Sequence, residues 1–146
     1  MRLNIDGRDV DIEQGQTIRD AVIKLGLESG KLSERPLAAR IGGDVYSLSY
    51  TPYKDATLRL IRYREDYGRR VYECTAQFVL LLSCRKLFPG ARVRVCYALD
   101  SGIYITIAKE PALSPQDVRA LERECRRLAA QDLPIRRRRM NIAEAL

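Results

Sequence analysis

The chain contains no histidine, and that absence removes whole classes of chemistry. There is no imidazole to act as a general base, to pair with a Ser or Cys nucleophile, or to ligate a metal. Tryptophan is absent too, and the aromatics are eight Tyr and two Phe. No two cysteines have C-x-x-C spacing. Cys74, Cys84, Cys96 and Cys125 are scattered and no signal peptide precedes them, which excludes a disulfide scaffold. Each is expected as a small core hydrophobe. The longest apolar run, 78–82, is far short of the roughly 20 residues that a membrane span needs. Residues 1–5 have a strand pattern and not that of a targeting segment. No G-x-x-x-x-G-K-[S/T] loop occurs, so nothing here is built to cradle ATP phosphates. No carboxylate pair has acid–base logic, since Asp9 and Asp11 fall on the outer face of a hairpin strand. The expectation is a cytoplasmic, reduced segment with no catalytic residue, no metal, no cofactor and no membrane contact.

What is present is an ordinary globular composition with a basic bias. The 146 residues are 46% hydrophobic and 31% charged, with 26 Lys and Arg against 19 Asp and Glu, a net +7. That length allows one domain or two small ones. The bias is uneven. Residues 1–62 carry 10 basic and 9 acidic side chains, and residues 63–146 carry 16 and 10. Arg dominates the second half, which suits bidentate phosphate contacts. A solvated basic face set by codon usage would give the same composition.

The first half has the pattern of a small α+β unit. Residues 1–5 alternate, Asp6-Gly7 is a strong hairpin signal, and 8–12 is the return strand with Val10 and Ile12 on one face. Thr17 and Asp20 form a capping box. Ile18, Ala21, Val22 and Leu25 then recur at helical spacing, and Gly26 suits the position after the C-cap. Further strands are predicted at 37–41, 45–48 and 57–61, with a turn at Gly42-Gly43-Asp44. That element order predicts a β-grasp arrangement over 1–62.

The second half, 63–146, starts with a predicted helix over 69–88. Its apolar stripe (Val71, Thr75, Phe78, Val79, Leu82) is widened by Leu80, Leu81 and Cys84, so burial on nearly all sides is expected. Pro89-Gly90 ends it. Val93, Val95, Tyr97 and Leu99 alternate with Arg92, Arg94, Cys96 and Ala98, and Ile103, Ile105 and Ile107 supply the partner strand after a turn at Asp100-Ser101-Gly102. Ser114-Pro115-Gln116-Asp117 caps a second helix, whose apolar face is Val118, Leu121, Cys125 and Leu128. A third capping pattern, Asn141-Ile142-Ala143-Glu144, opens a helix that Leu146 cuts short, as expected of a domain truncated at its C-terminal end.

Several of these strings resemble known families. Asp6-Gly7, Gly15-x-Thr17 and Ala38-Ala39-Arg40-Ile41-Gly42-Gly43 with Val45-Tyr46-Ser47-Leu48 resemble a TGS domain, the β-grasp module of threonyl-tRNA synthetases and some GTPases. Leu87-Phe88-Pro89-Gly90-Ala91 and Asp100-Ser101-Gly102-Ile103-Tyr104 resemble the second additional domain of threonyl- and alanyl-tRNA synthetases. The resemblance implies α+β folds for both parts, 1–62 and 63–146. In the synthetases the long helix carries a His-x-x-x-His pair that serves editing. Aligned on Leu87-Phe88-Pro89, those positions are Cys74 and Phe78. Neither can replace an imidazole, so the resemblance implies a degenerate editing site. Tyr67-Gly68-Arg69-Arg70-Val71-Tyr72 and Leu99-x-x-Gly102-Ile103-Tyr104 look closer to the N-terminal part of bacterial uridine kinase-like nucleoside kinases. That resemblance implies a non-catalytic regulatory module that binds a ligand or RNA, followed in the same chain by a P-loop kinase domain that would use ATP and Mg. The alternative it leaves open is the tRNA-binding N-terminal region of a threonyl-tRNA synthetase-like ligase.

The candidate contacts for nucleic acid or another anion are arginines: Arg69 and Arg70, Arg92 and Arg94, and the run Arg136-Arg137-Arg138-Arg139. Cations at a helix start oppose the macrodipole, which singles out the first pair. Tyr46, Tyr50, Tyr53, Tyr63, Tyr67 and Tyr72 concentrate near the junction of the halves, where packing is expected ahead of base stacking.

Overall fold

A computed structural model describes residues 1–28, 30–99, 102–135 and 140–145. It has an α+β fold, and its contacts divide it into two compact units, Met1–Ala76 and Gln77–Leu146. The division falls inside one helix.

In the first unit, β1 (Arg2–Ile5) and β2 (Arg8–Asp11) form the predicted hairpin. Asp6 and Gly7 both take positive φ, 50° and 84°, the conformation that a tight two-residue hairpin turn demands. Asp6 also ties the hairpin down. Its carboxylate accepts from the Leu60 backbone N–H at 3.0 Å and from the Arg62 guanidinium at 2.9 Å. Helix α1 (Ile18–Lys24) starts in the Thr17–Asp20 capping box, a device worth about 1 kcal/mol. It ends in a Schellman motif, with Gly26 N–H on the Ile23 carbonyl and Leu27 N–H on the Val22 carbonyl. A 3₁₀ turn at Leu32–Glu34, which no pattern predicted, leads into β3 (Pro36–Ile41), β4 (Asp44–Ser47) and β5 (Ala56–Arg62).

The sheet order is β2-β1-β5-β3-β4, with β1 and β5 parallel and the other pairs antiparallel. This is the β-grasp arrangement. The strands alternate, so one face presents Leu3, Ile5, Val10, Ala39, Leu58 and Leu60 to Ile18, Ala21 and Val22 of α1. The other face carries Ala38, Arg40, Arg59 and Ile61.

Helix α2 (Asp66–Leu87) starts three residues before the predicted point. Gly68 explains how closely it begins against the sheet. A Cβ there would collide with the Arg62 carbonyl.

The second unit holds the rest of α2, the hairpin β6 (Arg92–Leu99) and β7 (Gly102–Ala108), α3 (Pro115–Ala130) and the short α4 (Ile142–Ala145). The capping boxes at Ser114–Asp117 and Asn141–Glu144 are both formed. The expectation of a helix buried all round is wrong. Phe78, Leu81 and Leu82 are exposed, and from Gln77 on α2 buries only Ser83 and Cys84. A two-stranded hairpin and one further long helix offer too little surface to cover every side of a helix. The cysteine expectation also fails in part. Cys84 is buried and Cys125 half-buried, but Cys74 and Cys96 are exposed.

α2 and α3 meet through polar side chains. Cys125 Sγ donates to Ser83 Oγ at 3.3 Å, and Ser83 Oγ donates to the Val79 carbonyl. Glu124 is nearly buried and lies between Arg127, at 2.7 and 2.8 Å, and Lys86 at 3.0 Å. Hydrogen bonds from Arg127 first, then Lys86, hold its carboxyl down at about 2.

Candidate nucleic-acid interface

The β6–β7 hairpin decides which side chains form the candidate surface. Val93 lies opposite Ile107 and Val95 opposite Ile105, as the alternation predicts. Between Val95 and Tyr97 the register shifts by one residue, and Cys96 is the extra residue of a β-bulge. Tyr97 then pairs with Tyr104, and Ala98 with Ile103. Because side chains alternate with period two, one inserted residue sends those after it to the opposite face. The expected common face of Val93, Val95, Tyr97 and Leu99 is therefore corrected. Tyr97 leaves it, and Ala98 takes the place facing Ile103.

The outer face so created holds Arg92, Arg94 and Thr106 with Tyr97 and Tyr104. The two tyrosine rings stack at 5.2 Å between centroids, inclined by 28°, and are 57% and 46% exposed. Neither Arg92 nor Arg94 is held by a carboxylate among the described residues. Two free guanidinium groups beside two exposed phenol rings combine phosphate attraction with a stacking platform. Sequence reasoning found the arginines and missed both tyrosines. Periodicity hides Tyr97, since a bulge leaves no reliable mark in a hydrophobic pattern, whereas the outward face of Tyr104 follows from its alternation with Ile103 and Ile105.

The other candidates are placed differently. Arg69 is bound to Asp66 at 2.8 Å within the first turn of α2, so its charge is matched locally. Arg70 lies 6.0 Å from the Tyr67 ring. Arg136, Arg137, Arg138 and Arg139 lie outside the described residues, as does the Asp100-Ser101 turn. Cys74 and Phe78 are one turn apart on α2 and both exposed. Among the described residues no group of three His, Cys, Asp or Glu side chains is placed to hold a metal ion, and no helix is long and apolar enough to cross a membrane. The tyrosines near the junction make separate contacts within residues 1–76: Tyr46 with Tyr50 at 4.4 Å, Tyr63 edge-on to Tyr72 at 5.2 Å, and Tyr67 under Arg40.

No family model matches the chain. It is similar along nearly its whole length to part of threonine–tRNA ligases. It is 30% identical to the threonine–tRNA ligase of Symbiobacterium thermophilum over 140 residues, which covers 96% of this chain and 21% of that protein. The ligases of Acetivibrio thermocellus and Clostridium kluyveri are 27% and 23% identical over 141 residues, covering 97% of this chain and 22% of each ligase. The chain thus spans about a fifth of the length of these curated relatives. The expectation of a kinase-linked module finds no counterpart among them.

Proposed function

We propose that this chain is the N-terminal, tRNA-contacting part of a threonyl-tRNA synthetase-like ligase whose editing centre is degenerate. Similarity to threonine–tRNA ligases over 96% of the chain carries the reading. The outer face of the β6–β7 hairpin supports it, since Arg92, Arg94, Tyr97 and Tyr104 offer what a folded RNA needs: cations for phosphates and rings for an unstacked base. Cys74 and Phe78 at the editing positions leave binding and remove that hydrolysis. A cytosolic setting accords with four free thiols. Residues 136–139 would add phosphate contacts of the same kind.

The uridine kinase-like reading rests on the resemblance of the Tyr67–Tyr72 and Leu99–Tyr104 strings, while the absence of histidine at those positions fits both readings. Reading the gene beyond codon 146 separates the two. A class II synthetase core favours the ligase, and a P-loop favours the kinase.

The binding itself is tested by fluorescence anisotropy with a threonine tRNA transcript at salt concentrations from about 50 to 200 mM. Affinity should fall steeply with salt, and the Arg92→Gln/Arg94→Gln variant should flatten the slope by about one for each phosphate that is no longer neutralised. Affinity weaker than about millimolar at low salt would overturn the reading.

A further inference from the structure

The hairpin of the second unit has a strand edge that nothing guards. Among the described residues four strands lie at sheet edges: β2 and β4 in the five-stranded sheet, β6 and β7 in the hairpin. A row of unpaired N–H and C=O groups invites another strand, so folded chains blunt such edges with charged side chains, short strands or bulges. β2 carries Arg8, Asp9 and Asp11, β4 opens on Asp44, and each is four residues long. β6 carries Arg92 and Arg94 and is bulged at Cys96. β7 has none of these devices. Its seven residues, Gly-Ile-Tyr-Ile-Thr-Ile-Ala, hold no charge and no proline. Among the described residues β6 is its one strand partner, and its backbone bonds to no turn, loop or helix.

The order of residues along this edge says what covers it. Set antiparallel to itself about Ile105, β7 matches like with like. Ile105 meets Ile105, Ile103 meets Ile107, Gly102 meets Ala108, and Tyr104 meets Thr106. An aromatic opposite a β-branched residue is a favourable cross-strand pair. A segment that matches itself under a twofold suits an isologous interface between two copies. Burial argues the same way. Ile103, Ile105 and Ile107 are only half-buried, and Val95, opposite Ile105, is 38% exposed. An isolated two-stranded hairpin is marginal in water, and further strands on an apolar face stabilise it.

We infer that β7 pairs antiparallel with β7 of a second copy of this chain, making a four-stranded sheet in the order β6-β7-β7-β6. Growth stops there, because the arginines and the bulge of β6 then stand at both outer edges. Opposed residues project to the same side of a sheet, so the outer face runs on across the twofold, with Tyr104 of each copy beside Thr106 of the other. The dimer rests on Gly102–Ala108 and goes beyond the tRNA reading without needing it. A single strand pair is smaller than a standard interface, so a Kd on the order of 10–100 µM is expected.

Sedimentation equilibrium of the chain without RNA reads its mass from about 1 µM to about 1 mM. A monomer–dimer equilibrium supports the pairing. A chain that stays monomeric throughout, or that grows past the dimer, overturns it. A sample mixed from ¹³C-labelled and unlabelled chains then locates the contact by isotope-filtered NOEs. Contacts between Ile103 of one copy and Ile107 of the other support the register, and a dimer whose intermolecular contacts all lie outside β7 overturns it. Thr106 is exposed, and Thr106→Lys places two like charges beside the twofold. It should weaken the dimer at least tenfold, whereas Thr106→Val, uncharged and β-branched, should dimerise as the native chain does. A Thr106→Lys chain that melts like the native one and dimerises equally well overturns the proposal. The native mass and NOEs need no variant to fold. No RNA is present in these measurements, so failure of the tRNA reading and failure of the dimer give different results.

Discussion

Truncating Tyr97 to alanine tests both the bulge and the surface it creates. The ring is 57% exposed and touches Tyr104 across the hairpin, so its removal leaves little cavity. The stability loss should be limited to the ring pair, about 0.5–1.5 kcal/mol. Its effect on RNA should be larger. A base stacked on an aromatic ring is worth about 1–3 kcal/mol by alanine substitution, a factor of roughly five to 150 in Kd. Because Tyr97 and Tyr104 already cover one face of each other, they offer one base platform each at most. Anisotropy with the threonine tRNA transcript reads the affinity, and a thermal melt reads the fold. Tyr97→Phe keeps the ring and should bind as the native chain does. Deleting Cys96 restores strict alternation, turns Tyr97 inward and should reproduce the loss seen in Tyr97→Ala. The reasoning is refuted if Tyr97→Ala melts like the native chain and binds the transcript to within about twofold of it.

Two further outcomes are expected. Gly68→Ala forces a Cβ into the Arg62 carbonyl and should destabilise the first unit by about 1–3 kcal/mol, although alanine is ordinarily the better helix residue; a melt no lower than that of the native chain would contradict the close approach. Glu124 has its carboxyl lowered from 4.5 to about 2 in the folded chain by Arg127 and Lys86, so its contribution is present above about pH 4.5 and is lost as pH falls toward 2. Glu124→Gln should therefore melt lower than the native chain at pH 7, with the gap closing over that acid range; a gap independent of pH would rule out the ion pairs as its source.

Much of the fold is legible in the chain because it is encoded locally. Asp6-Gly7 selects one turn geometry, Thr17 with Asp20 and Ser114 with Asp117 start their helices, and Gly26 stops the first. Each involves residues within a few positions of one another, so neighbours alone suffice to read it. Strand alternation likewise put Val10 and Ile12 on one face, and both are core residues. The candidate interface was legible only by half. Charge marked Arg92 and Arg94, whereas Tyr97 joins them and Tyr104 only through a one-residue register shift.

By itself, the sequence determined which side chains are lacking, the basic bias of residues 63–146, and nearly every element with its caps. Those properties are sums or short-range contacts along one chain. Tertiary structure alone decided the rest. It set Arg40 opposite Arg59 across two strands that are 19 residues apart at that point, exposed the apolar side of α2, and turned Tyr97 outward at a bulge. Each depends on which backbone atoms pair at long range, and a repeat of hydrophobic residues does not specify that pairing to within one residue.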